Sequence, residues 1–145
     1  MCLLEAPGPK ATPPQGSGFV SADNDDQTAK NMWTLLREAE IDRGSEYVAW
    51  NVVPWYLGDG ARIREARTAD LSEAREATET LLSLPPDLGA IVLLGKKASL
   101  AWRRLGFADA LEAPHPSPRN LNGRPWARAE IQGALIQAKE RSGRR

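Results

Sequence analysis

The sequence predicts an α/β protein: three layers, α/β/α, around a four-stranded parallel sheet. Three observations carry this. Four short apolar segments rich in Val, Ile and Leu alternate with stretches of helical periodicity, and such runs suit strands buried on both faces. The order is strand then helix, four times over, and right-handed crossovers turn that order into a parallel sheet with helices on both sides. The 145 residues, 41% hydrophobic and 26% charged, fit one domain with a core of ordinary size.

The first strand spans Cys2 to Ala6. A helix follows from Thr28, which can cap it, to about Ile41, with Met32, Leu35, Leu36 and Ala39 on one stripe. The second strand spans Tyr47 to Val53. The next helix runs from about Asp70 to Leu84, with Leu71, Ala74, Thr78, Leu81 and Leu82 recurring at helical spacing, and Pro85-Pro86 stops it. The third strand is Ala90 to Leu94, and a helix from Lys97 to Leu105 ends at Gly106. The fourth strand is Ala110 to Ala113. A last helix starts at Pro125 and carries Ala129, Ile131, Leu135, Ile136 and Ala138. Pro7 to Gly18 reads as a loop, and Arg141 to Arg145 as a frayed basic tail.

Composition narrows the function classes. The longest apolar run, Ala90 to Leu94, is far short of the roughly 20 residues a membrane span needs. No secretory signal is evident at the N-terminus. Cys2 is the only cysteine, so neither an internal disulfide nor a zinc or iron–sulfur site is expected, and no cofactor is. A reducing, cytoplasmic compartment of bacterial type is expected. Nineteen basic and nineteen acidic side chains cancel. The bases nevertheless gather at Lys96, Lys97, Arg103 and Arg104 and from Arg119 onward, which permits one basic face toward phosphates. The acidic run Asp23 to Asp26 lacks the spacing of a calcium loop and reads as a helix-capping turn.

Ligands on parallel sheets bind at the carboxyl ends of the strands. There the sequence places Glu5-Ala6-Pro7-Gly8-Pro9, Asn51-Val52-Val53-Pro54-Trp55 and His115-Pro116-Ser117-Pro118-Arg119-Asn120. Glu5, Asn51 and His115 therefore converge on one rim. Asn offers an acceptor and two donors. His can stabilise a developing oxyanion or move a proton, and Glu can orient water.

In order and approximate spacing, "EAPGP", "GF", "NVVPW" and "HPSPRN" resemble the motifs of the uracil-DNA glycosylase superfamily, from about Leu3 to Glu140. The first is closest in style to the Glu-Ala-Pro-Gly branch that carries an iron–sulfur cluster, whose cysteines are missing here. The resemblance implies a base-excision hydrolase that cleaves the N-glycosidic bond of uracil or a related deaminated base in flipped-out DNA, acting as a monomer near the nucleoid. It implies that Asn51 reads the base edge, with Phe19 stacking on the base and Ala6 and Pro7 beside it. It implies that His115 bonds the base oxygen as charge builds. Ser117 and Pro118 would pinch a DNA phosphate, Arg119 would fill the gap in the base stack, and Lys96 would contact the backbone. Where the best-known branch has a water-activating Asp, this chain has Ala6, so Glu5 is the first candidate for that task and Asp25 the second. Leu4 replaces a family Gly and crowds the pocket. The first strand starts at the initiator, which implies a shortened or misassigned N-terminus. The other reading is a member that binds DNA or a nucleobase without turnover.

Overall fold

β1 (Cys2–Leu4) lies inside the sheet, flanked on one side by β2 (Ala49–Asn51) and on the other by β3 (Val92–Leu94). β4 (Leu111–Ala113) pairs with β3 at the far edge, giving the order β2-β1-β3-β4 with every pairing parallel. The computed structural model describes residues 1–59 and 62–143. The α/β class and the four-stranded parallel sheet expected from the sequence are observed.

Strand periodicity divides the core in two. Cys2, Val92 and Leu94 pack with Met32, Leu35 and Leu36 of α1 (Gln27–Glu38) and with Ile131 and Leu135 of α5 (Pro125–Ser142). Leu3 and Leu93 point the other way, toward Leu71 and Ala74 of α2 (Thr68–Ser83) and toward Ala98, Ala101 and Trp102 of α3 (Lys96–Arg104). Alternate residues of a strand face opposite sides, so helices cover both faces of the sheet.

The strands are shorter than the apolar runs, three residues each. The ladder continues past them toward the rim: Val52 N–H donates to Leu4 O and Val53 N–H to Glu5 O, each at 2.8 Å. The predicted Thr28 cap is replaced by Asp26, whose carboxylate accepts from Ala29 N–H at 2.9 Å. Thr28 already lies within the first helical turn, and a carboxylate is the stronger partner for that end of a helix. The Pro7–Gly18 loop contains one short 3-10 helix, Pro9–Ala11. α4 (Pro118–Gly123) was not expected, being too short to show a period. α5 stays helical to Ser142, so Arg141 is not frayed, while positions 144 and 145 lie outside the described residues. Ile136, expected on the buried stripe, is 43% exposed, and Ala127 and Ala134 are buried instead.

The strand order reverses between β1 and β3, since the chain leaves β1 toward β2 and later returns to β1's other side. Such a switch point opens a crevice at the carboxyl ends of the two strands. Glu5 and Ala6 follow β1 there, and Gly95 follows β3.

Candidate functional site

A cavity of about 560 Å³ opens at this rim, walled by the segment after β1, the residues entering α1, the end of β2 and the segment after β4. Glu5, Ala6, Pro7, Asn51, His115 and Pro118 line it, so six of the expected site residues meet in one place.

Asn51 ends β2 in register with Leu4, which places both side chains on the α1 side of the sheet. The residue is only 5% exposed, and its amide makes no hydrogen bond among the described residues. Buried amides nearly always find partners inside a protein. An unpaired one that lines a cavity has donor and acceptor capacity left over for whatever enters it.

His115 follows β4 and is partly buried. Its Nδ1 accepts a hydrogen bond from Ser117 N–H at 3.1 Å. A backbone N–H can only donate, so Nδ1 carries the lone pair and Nε2 carries the proton. Burial pushes the imidazole pKa below its ordinary value, opposed in part by the nearby Asp26 carboxylate. The cavity is thus presented with a neutral histidine whose free nitrogen is a donor.

Gly95 makes this approach possible. Its φ of +105° suits glycine, and a Cβ there would lie 3.1 Å from His115 Cβ. Two asparagines secure the same segment: Asn31 Nδ2 donates to Pro116 O at 2.8 Å and Asn120 Nδ2 to His115 O at 3.0 Å.

Glu5 lines the cavity and accepts from Ala66 N–H at 3.1 Å through Oε1. This ties the segment before α2 to the rim and leaves Oε2 without a protein partner among the described residues.

The other expected residues sit elsewhere. Phe19 is 76% exposed and does not line the cavity. Its N–H donates to Ser17 Oγ at 3.2 Å and its carbonyl accepts from Asn24 Nδ2 at 2.8 Å, a loop held with the ring turned out. Asp25 is exposed outside the cavity. Ser117 accepts from Asn120 N–H at 3.4 Å as the cap of α4. Arg119 and Lys96, at the starts of α4 and α3, are exposed on the same rim and line no cavity wall. Leu4 lines the cavity, which remains open beside it.

Sequence reasoning missed Tyr47, an aromatic that lines the cavity. Burial raises the pKa of its phenol above the ordinary value, with Asp23 adding to the effect and Arg43 opposing it. The signal was available, since positions 47, 49 and 51 share a strand face. Lys10, from the segment after β1, and Asp26, Gln27 and Thr28, from the cap and first turn of α1, also line the cavity. Among the described residues, no three His, Cys, Asp or Glu side chains gather as a metal site requires, and no helix is long and apolar enough to cross a membrane. Compared by sequence with known proteins, the chain matches no family model and no curated protein.

Proposed function

We propose that this chain is a DNA N-glycosylase of the uracil-DNA glycosylase type, hydrolysing the bond between the sugar and uracil or a related deaminated base after the nucleotide is flipped out. The observation that carries the reading is the pairing, in one cavity, of the unpartnered Asn51 amide with a neutral His115 that offers Nε2–H. Both kinds of group suit a base. The amide can pair with a carbonyl and an adjacent N–H of its edge, and a neutral donor suits an oxygen that gains charge only as the bond breaks.

The chemistry follows from these groups. The C1′–N bond breaks with its electron pair leaving on the base, and Nε2–H of His115 stabilises the resulting anion. Water adds to the sugar cation and gives up one proton. Oε2 of Glu5, oriented by the bond from Ala66 N–H to Oε1, is the acceptor at hand. Tyr47, rather than the outward Phe19, is the aromatic available as an apolar wall for the base. Arg119, Lys96 and the Ser117–Pro118 turn flank the opening where the DNA backbone would run.

The second reading, a domain that binds a base or DNA without turnover, is favoured by one observation: the carboxylate best placed to orient water already spends one oxygen on Ala66. Turnover separates the two. Purified protein is incubated with labelled oligonucleotides carrying uracil, single-stranded or opposite G or A, and abasic sites are cut with alkali. The glycosylase reading expects cleavage that falls about 100- to 1,000-fold in His115→Ala, the usual cost of losing one donor to a developing anion. Tight binding with no cleavage at high enzyme concentration supports the second reading.

A further inference from the structure

Several hydrogen bonds hold the segment that carries His115, and one comes from a distant helix. Asn31 lies in the second turn of α1 and donates from Nδ2 to the carbonyl of buried Pro116, 85 positions away. Gln27, one turn earlier, donates from Nε2 to Asn31 Oδ1 at 3.1 Å. That bond assigns the amide: its oxygen is engaged by Gln27, so its NH2 group faces Pro116.

The carbonyl that Asn31 grips belongs to the same peptide plane as the Ser117 N–H that bonds His115 Nδ1. A trans peptide is planar, with its C=O and N–H pointing in opposite directions. Fixing the oxygen therefore aims the hydrogen. A donor on the carbonyl also polarises the amide and strengthens the bond its N–H makes. Asn31 so acts on the imidazole without touching it. The tie from Asn120 to His115 O is local and holds the preceding peptide instead.

We propose that Asn31 is a positioning residue for His115, which through the Pro116–Ser117 peptide holds Nδ1 as acceptor and keeps the Nε2 proton facing the cavity. The proposal rests on the reading of His115 as the donor to the leaving base, yet it concerns the imidazole and is testable without substrate. It also joins the wall of the cavity to the donor, since Gln27 lines the cavity and orients Asn31.

The test uses the fact that His115 is the chain's only histidine. In a 15N-labelled sample, a long-range proton–nitrogen spectrum shows one imidazole, and its tautomer and titration midpoint are read directly. Wild type is expected to show a single neutral form with the proton on Nε2. Asn31→Ala is expected to bring the two nitrogen shifts toward the average of an exchanging mixture and to move the midpoint up toward about 6.5. Asn31→Gln, which keeps the NH2 donor, is expected to recover part of the change. Asp26, Glu5 and Lys10, the charged groups around the cavity, are common to all three proteins, so the difference reports on the peptide. If Asn31→Ala keeps the wild-type tautomer and midpoint, the proposal is overturned. Should that variant not fold, wild type alone decides: in a sample also labelled with 13C, a scalar coupling across the hydrogen bond from Asn31 Nδ2 to the Pro116 carbonyl carbon is expected, and its absence overturns the proposal. In an active protein, kcat of Asn31→Ala would fall by up to about 100-fold at little change in KM. A wild type with the fixed tautomer but no glycosylase activity would leave this proposal standing while removing the reaction.

Discussion

Asn51 is only 5% exposed and its amide bonds to nothing among the described residues, so its N and O atoms meet solvent through the cavity. An amide that bonds to no protein group adds little to the fold, and an apolar group of the same shape in its place can be nearly neutral or stabilising. Asn51→Leu is therefore expected to hold or raise stability in urea unfolding while abolishing cleavage of uracil-containing DNA. A destabilised variant would show that the amide serves the fold instead. His115 gives a second prediction at this scale. Its folded pKa lies below the ordinary value, so the unfolded chain binds the proton first as pH falls. The contribution to stability is thus complete above about pH 6.5 and is lost as pH falls through the folded pKa. In the proposed reaction catalysis would follow the same neutral form, because protonation puts a second donor against Ser117 N–H. A profile of kcat/KM against pH should fall on the acid side with a midpoint below about 6.5, and a midpoint above that value would contradict the neutral-donor reading.

At the scale of elements, the positions of the two key side chains are set by how strands end. β2 delivers Asn51 because its ladder with β1 runs on to Val53, and β4 delivers His115 because the turn after β3 lets it close in. Gly95 N–H donates to Ala113 O at 2.7 Å, so β3 and β4 stay joined up to the turn. Gly95→Ala would force an L side chain into a positive-φ, extended backbone that essentially only glycine adopts and press a methyl group on His115 Cβ. That conformation alone costs about 1–3 kcal/mol. A drop of that order in unfolding free energy, together with loss of activity, is the expected outcome. Unchanged stability would mean that the turn relaxes freely. Much at this scale was legible in advance. Apolar runs placed the four strands, and the stripe of Met32, Leu35 and Leu36 placed the first helix. α4 was not legible, because six residues hold too few turns for a repeat to show.

For the whole molecule, a net charge of zero means that any grip on DNA depends on where the charges lie. Several bases are engaged with acids: Lys97 with Glu65 at 3.2 Å, Arg103 with Glu112 at 3.5 Å and Arg128 with Glu38 at 2.5 Å. Lys96 and Arg119 make no ion pair among the described residues and are exposed at the starts of α3 and α4. Each phosphate contact adds roughly 0.7 to 0.9 to the slope of log affinity against log salt. Lys96→Ala and Arg119→Ala are each expected to lower that slope by about one such step, measured by titrating single-stranded DNA at several salt concentrations. An unchanged slope would place the DNA path elsewhere.

Sequence by itself determined the class of the fold and the rim on which chemistry gathers. Hydrophobic periodicity is local, and it survives in the order of residues whatever the chain does later. It therefore placed Glu5, Asn51 and His115 at strand ends without any coordinates. Only the tertiary structure decided which groups face one another. It turned Phe19 outward through the Ser17 and Asn24 ties, brought Tyr47 and Lys10 to the cavity, and engaged one oxygen of Glu5 with Ala66. It also set the protonation of His115 by a bond from Ser117, in a peptide held by Asn31 from another helix. Side-chain direction in loops, and contacts across 85 positions, depend on how separate elements dock. No local pattern encodes that docking.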